Sequence, residues 1–480
     1  MNITDPIRYQ ARVNPWSIAV MRHDGASLSY VNLDRAIDAM ARRVLSQGLV
    51  AGNTVALGMM QDDFTDLVLT LAFARLGIAC GPVSMPAGLA DAYFTRDGAS
   101  APKAIRRVIN YSKAWLEVAA ESDKEPLQSH QDGAAVCRIF PSSGTTGTPK
   151  HVAVSHDLLY RRIFAKWLST RFPDNLRQIC AIGMETYYGF STRLRVLMGG
   201  GTLVLISKQF VTLMQHFQVN CLLLSPYGLQ SFLSALPKDV GPFHSLEVIE
   251  VGGSQLPVAL CEMARRRLCP NIISAYGAME AAGIASAPVT KLYDSPGAVG
   301  YVHPGVDVQA VGDDDQPLPL GTIGTIRVRS GNCVTGYLDD PEVSARVFKD
   351  GWFYPGDFGK VTPDGMLIIA GRASELINSG GVKVSPHVIE DALLTLPGVT
   401  EAAAFGVPDA LGVTQIWAAV VSNGPVEDAA LAALCRGKLQ SYPPKAVIRV
   451  KDLPRNDNGK VIRDELVKLA LVQQQQRAKS

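Results

Sequence analysis

The chain has no apolar run of about 18 or more residues, so no membrane-crossing helix is expected. Net charge is equally scarce. Forty-six Lys and Arg against 44 Asp and Glu leave +2, which gives no electrostatic case for nucleic acid or a membrane surface as partner. The eight cysteines form no CxxC pair. The nearest neighbours, Cys261 and Cys269, match no metal-ligand spacing, and buried thiols in a reducing cytoplasm are expected. The opening MNITDPIRYQ has no basic-then-apolar signal pattern, which again points to the cytoplasm. Internal repeats are absent, and low complexity is confined to Gln473–Gln476. Two common phosphate-binding signatures are also missing: G-x-G-x-x-G, and Gly-Lys-Ser/Thr opening a helix.

What is present reads as a layered globular protein. With 480 residues, 47% hydrophobic and 19% charged, the chain is long enough for two or three domains. Leu33, Ile37, Met40, Ala41 and Val44 recur at helical spacing, and Gly48 sits where a terminating glycine belongs. Thr54–Gly58 reads as a strand, Asp66–Leu76 as an apolar helix and Ile78–Val83 as a second strand. A later alternation runs through Cys221–Leu224, Tyr227–Ala235 and Leu246–Val251. Such alternation predicts α/β layers with parallel pairing. From Gly297 to Gly371 the sequence turns β-rich, and beyond it Ser385–Leu396, Glu401–Val407, Ile416–Val421 and Ala429–Gln440 predict a compact α+β unit.

The stretch around which these elements are arranged is Pro141–Lys150, PSSGTTGTPK, between two strand-like runs. Gly144 and Gly147 allow close backbone approach. Successive amides in such a loop make an anion nest. Ser142, Ser143, Thr145, Thr146 and Thr148 add hydroxyl donors, and Lys150 adds a full charge. A polyphosphate is the natural guest, and a plain polar turn is the alternative.

The loop resembles the phosphate loop of the adenylate-forming superfamily, which contains acyl-CoA and aryl-CoA synthetases, stand-alone adenylation domains and firefly luciferase. Further motifs extend the resemblance over the whole chain. Gly252-Gly253-Ser254 ends a strand and is either a seat for a flat base or a strand-to-helix turn. Tyr276-Gly277-Ala278-Met279-Glu280 resembles the superfamily's Tyr-Gly-x-Thr-Glu, with Met279 in place of threonine. The resemblance makes Tyr276 an adenine contact and Glu280 a Mg²⁺ ligand. Gly351-Trp352-Phe353-Tyr354-Pro355-Gly356-Asp357 resembles Tyr-x-Thr-Gly-Asp, with Pro355 where threonine is usual. Asp357 has two oxygens to match a ribose diol, and Arg372 is expected to join it. Leu453–Arg463 resembles the Pro-x-x-x-x-Gly-Lys-(Val/Ile)-x-Arg ending, which makes Lys460 catalytic beside an Asn458-Gly459 turn.

The resemblance implies an α/β fold with a large N-terminal AMP-binding domain (1–371) of layered α/β subdomains plus a β-rich subdomain. A small mobile α+β C-terminal domain (372–480) follows, with its hinge at Ser374. The implied activity is ATP-dependent conversion of an aryl or short acyl acid to an acyl-adenylate, then a thioester with CoA. Lys150, Glu280 and Lys460 are the catalytic candidates, and ATP, Mg²⁺ and CoA (or a phosphopantetheine carrier) the cofactors. The small domain is expected to rotate, withdrawing Lys460 and bringing Gly380 and Gly381 to the thiol tunnel. The acid pocket is expected at Thr186, Tyr187, Tyr188, Gly189 and Ala278. The aspartate that holds an amino group in amino-acid adenylation domains is absent from Met184–Ser191. Tyr187, Tyr188 and Phe190 are suited either to narrowing this pocket or to helix-core packing. Lys445, behind Pro443-Pro444, is either a CoA phosphate contact or part of a solvated basic face. Loading of a carrier protein, or a nucleotide-binding protein that has lost turnover, are the alternatives. A monomer or homodimer is expected.

Overall fold

The computed structural model describes residues 1–477 except 23, 59–62, 97–106, 112, 117–124, 143–148, 207–209, 238–239, 373–374, 380–381, 410–412, 438, 440–442 and 456–458. The N-terminal part carries two sheets. A six-stranded sheet runs Val108–Tyr111, Ala92–Arg96, Thr54–Leu57, Ala79–Pro82, Val136–Pro141 and His151–Ser155, parallel except for the last pair. That pair flanks the phosphate-loop stretch. The helix Asp63–Leu76 is apolar on nearly every side and is buried nearly throughout, so it packs as a core element. The helix Tyr30–Ser46 is amphipathic, and Gly48 lies just past its end with φ +71°, the left-handed conformation that glycine adopts without steric cost.

The second sheet has 15 strands. Its parallel half includes Arg177–Cys180, Cys221–Leu224, Val248–Gly252 and Ile272–Ala278. At Ile272–Ala278 the pairing changes, because Ala282–Pro288 returns antiparallel to it and the remaining strands continue antiparallel through Met366–Arg372 and Asp357–Val361. The β-rich segment is thus hydrogen-bonded into the parallel sheet rather than set apart from it. The Tyr276–Glu280 motif occupies the hairpin where the two halves meet.

The C-terminal unit has its own core. Val399–Pro408, Thr414–Ser422 and Ala446–Arg449 form a three-stranded sheet. Side chains alternate across it, as the period of two in a strand requires. Ala404, Ala418 and Val420 pack with Ile389 and Leu393 of the helix Pro386–Leu393. Ala403, Phe405, Trp417 and Ala419 pack on the other face with Leu466 and Ala470. Those two belong to a closing helix, Arg463–Arg477, which absorbs the glutamine tract that sequence alone leaves as a tail. No helix among the described residues is long and apolar enough to cross a membrane.

Candidate functional site

Two antiparallel neighbours begin the site. Asp357 opens one strand and Arg372 closes the next, and the two are paired in register. Arg372 Nε donates to Asp357 Oδ1 at 3.1 Å, and the Tyr276 hydroxyl donates to Oδ2. Asp357 is buried, so both oxygens need partners. Burial and the Asp357 charge push the Tyr276 hydroxyl well above the usual tyrosine range. Tyr276, read as an adenine contact, therefore also holds the carboxylate read as a ribose contact.

Gly252 ends its strand opposite Ala275. A Cβ there would lie 3.0 Å from the Ala275 carbonyl oxygen and from Tyr188 Cε1. Gly253 follows with φ +99°, and Ser254 is exposed. Gly277 has as little room, since a Cβ would stand 2.4 Å from the Ala282 oxygen.

Glu280 sits in the hairpin loop with its carboxylate buried. Its Oε1 accepts from the Tyr337 hydroxyl at 2.8 Å. Arg162, from the helix His156–Ser169, fixes the loop from behind by donating to the carbonyls of Met279, Glu280 and Asn332 at 2.9–3.0 Å. The Met279 thioether packs toward the N-terminal core. Lys150 reaches the same place from the other sheet. Its Nζ lies 5.6 Å over the Tyr337 ring and 4.0 Å from Asp340. The Lys150 and Ser142 backbones are tied together, with Ser142 N donating to Lys150 O at 2.6 Å and Lys150 N to Ser142 Oγ at 3.1 Å. His151 N donates to Asp339 at 3.0 Å, which pins the Tyr337 loop beside Lys150. Ser143, Gly144, Thr145, Thr146 and Gly147 lie outside the described residues, as do Ser374, Gly380 and Gly381.

Lys460 comes from the C-terminal unit, directly after Gly459, whose backbone meets Tyr227 of the N-terminal part. Arg372, Glu375, Asp357 and Glu280 all act on its ammonium. Burial, then the Arg372 charge, lowers its pKa, while the three carboxylates oppose that shift. Lys445 stands away from this group, exposed at the start of the edge strand Ala446–Arg449.

The expected acid-pocket residues open one helix, Tyr187–Met198. Thr186 caps it by accepting from Gly189 N at 3.0 Å. A Cβ on Gly189 would lie 2.1 Å from the Gly183 oxygen, so glycine is needed for the helix to start there. The Tyr187 ring lies between Phe140, at 5.7 Å, and the Arg162 guanidinium, at 4.9 Å. The Tyr188 hydroxyl donates to Glu250 at 2.6 Å. Glu250 is 1% exposed and also meets Lys166 at 2.9 Å and Arg195 at 3.7 Å. Burial opposes its ionisation, yet Lys166, Arg195 and Tyr188 hold the carboxyl at about 2. Ala278 is half-buried at the end of its strand.

Sequence reasoning missed Tyr337, Arg162 and Glu250. Gly336-Tyr337-Leu338 carries no local pattern, and a helical arginine or strand glutamate reads as surface until its burial is known.

The sequence pattern of the AMP-binding enzyme family matches residues 7–338, and that of the AMP-binding enzyme C-terminal domain matches 388–460. The chain is 27% identical to a feruloyl-CoA synthase from Amycolatopsis sp, over 96% of this chain and 97% of that protein. It is 29% identical to the medium/long-chain-fatty-acid–[acyl-carrier-protein] ligase FadD10 of Mycobacterium tuberculosis, over 98% and 95%. The crystal structure of ATP-bound MatB from Rhodopseudomonas palustris superposes with a TM-score of 0.85 at 25% identity, covering 98% of this chain and 99% of that one. Lys150, Tyr276, Glu280 and Lys460 fall within the matched segments and Asp357 and Arg372 between them, and this chain belongs to the AMP-binding enzyme family.

Proposed function

We propose that the protein is an AMP-forming acid–thiol ligase that activates an aryl or short acyl acid with ATP and transfers the acyl group to CoA. One observation carries the reading: Lys150, from the other sheet, lies over the Tyr337 ring whose hydroxyl holds Glu280, on the hairpin that also places Tyr276 against Asp357. A cation brought there from a separate element suits a reaction between anions.

In the first step the acid's carboxylate oxygen attacks the α-phosphorus of ATP. The new P–O bond forms, the bond to the β-phosphate bridging oxygen breaks, and pyrophosphate leaves. Negative charge gathers on the phosphates, so fixed cations lower the barrier. Lys460 and Lys150 supply two. Asp357 holds the ribose diol, steadied by Arg372 and Tyr276, and the bare backbone at Gly252 and Gly277 accepts the flat base. Mg²⁺ is commonly held by one or two carboxylates plus substrate phosphates, and Glu280 would be its protein ligand. When bound, Mg²⁺ neutralises phosphate charge. In the second step a thiol sulfur attacks the adenylate carbonyl, its proton is lost, and AMP departs.

CoA is the proposed acceptor, with exposed Lys445 meeting its phosphates. The 29% identity to an enzyme named for an acyl-carrier-protein acceptor favours carrier loading as the second reading. A pyrophosphate-release screen over aryl and short acyl acids, run with CoA and then with carrier protein, tests both. Pyrophosphate release with none of the acids would reject the reading. Thioester with carrier but none with CoA would put the second reading first. If CoA is the acceptor, Lys445→Glu raises its KM and leaves adenylation unchanged.

A further inference from the structure

The turn that carries Lys460 rests on an exposed residue of the large domain. Tyr227 lies in the first turn of the helix Pro226–Ala235, whose start is capped by Ser225 accepting from Gly228 N at 3.0 Å. The tyrosine is 47% exposed, and its ring lies against the C-terminal unit. A Cβ added to Gly459 would stand 2.9 Å from Tyr227 Cδ1 and 3.0 Å from Cβ and Cγ, so the Gly459 backbone lies close against the tyrosine. The Arg455 guanidinium covers the same ring at 5.1 Å. Arg455 also donates to the Gly459 carbonyl at 2.7 Å and pairs with Glu401 of its own sheet. One turn along the helix, Gln230 Nε2 donates to Glu401 at 3.2 Å. Tyr227 and Gln230 are three residues apart and therefore share one helix face.

Arg455 thus closes three contacts at once. It holds the shape of the turn through Gly459, is braced by Glu401, and stacks on Tyr227. Tyr227 and Gln230 are the large-domain half of the contact, and neither touches the Asp357–Glu280 group. Gly459 is required twice: its φ is +77°, and any side chain would strike the ring.

We infer that Tyr227 is a positioning residue for adenylation: with Arg455 it forms a clamp that seats the Lys460 turn on the large domain. The inference rests on the function proposed above. A planar guanidinium on an aromatic face makes a contact that is strong enough to orient and weak enough to release. The clamp belongs to adenylation, the half-reaction in which the proposed function uses the Lys460 charge.

The experiment compares Tyr227→Ala and Tyr227→Phe with the unmodified full-length enzyme in each half-reaction. Misplacing a catalytic group costs rate steeply, so Tyr227→Ala is expected to lower kcat for pyrophosphate release roughly tenfold to a hundredfold. Its thioester formation from a synthetic acyl-adenylate is expected to stay at the unmodified level. Tyr227→Phe keeps the ring face and is expected to restore adenylation. Unchanged adenylation in Tyr227→Ala, or equal loss in both half-reactions, would overturn the clamp. Hydrogen exchange on the free protein is read separately, without acid or ATP. The clamp requires faster exchange over residues 459–463 in Tyr227→Ala than in Tyr227→Phe, and equal exchange rejects it. This readout holds even if no acid in the screen is a substrate, so failure of the clamp and failure of the proposed reaction remain distinct.

Discussion

Tyr337 donates its hydroxyl to Glu280 Oε1 across 2.8 Å, while the Lys150 ammonium lies 5.6 Å above the same ring. One side chain therefore spaces the phosphate-loop lysine from the proposed metal carboxylate. Burial and the Glu280 charge push the Tyr337 hydroxyl above the usual tyrosine range, so it stays a donor throughout the working pH range. Tyr337→Phe keeps the ring under Lys150 and removes only the bond to Glu280. A hydrogen bond to a charged group contributes roughly 1.5–3 kcal/mol, so adenylation is expected to fall about tenfold to a hundredfold. The rise of rate with Mg²⁺ concentration is the second measurement, and a midpoint equal to that of the unmodified enzyme would separate Tyr337 from the metal ligand.

Lys460→Ala removes one preorganised cation at the phosphates. Its expected cost is about two to three orders of magnitude in pyrophosphate release. Thioester formation from a synthetic acyl-adenylate is expected to survive. Equal losses in the two half-reactions would show that Lys460 does not belong to adenylation alone.

The Lys460 pKa is already lowered, and of the carboxylates that oppose this Glu375 acts most strongly. Only the protonated amine serves the phosphates, so adenylation is expected to decline as pH rises through that lowered value. Glu375→Gln takes away a negative charge that favours the ammonium. The alkaline limb of adenylation is therefore expected to move to lower pH in the variant. The Glu375 contact with Arg463, at 3.3 Å, is lost as well, but a loss of fold lowers the plateau without moving the limb. A limb at the same pH in both proteins would refute the assignment.

Glu250 answers to Lys166, Arg195 and the Tyr188 hydroxyl behind the expected acid pocket. Glu250→Ala leaves two cations in place without their carboxylate, and the expected loss of stability is about 3–5 kcal/mol. Denaturant unfolding measures it. Because the carboxyl is held at about 2 instead of 4.5, its stabilisation is complete above the unfolded value and is lost as pH falls from 4.5 toward 2. The unmodified protein should lose stability across that window, with a shallower slope in Glu250→Gln. Identical slopes would mean that Glu250 does not carry this part of the acid response.

Much of the fold was legible because its signals are local. The strands Thr54–Leu57 and Cys221–Leu224 and the helix Tyr30–Ser46 follow from short-range periodicity and from a glycine at the point of termination. The closing helix Arg463–Arg477 was not read, since its glutamines suggest a tail until Leu466 and Ala470 are seen against the sheet. Met279 stands where the resembled motif has threonine. The structure turns that thioether toward the N-terminal core, where size and apolarity matter more than a hydroxyl.

By itself the sequence determined the family, the order of the elements and the residues with chemistry to offer, among them Lys150, Glu280, Asp357, Arg372 and Lys460. Each sits in a run whose spacing along the chain is enough to recognise it. Tertiary structure alone decided which of them meet and what holds them. Tyr337 reaches Glu280 over 57 residues, Arg162 fixes the Glu280 carbonyl over 118, and Glu250 finds Tyr188 over 62. Contacts at such separations leave no periodic trace, because they are selected by how helices and loops pack against the sheet and not by the neighbours of either residue.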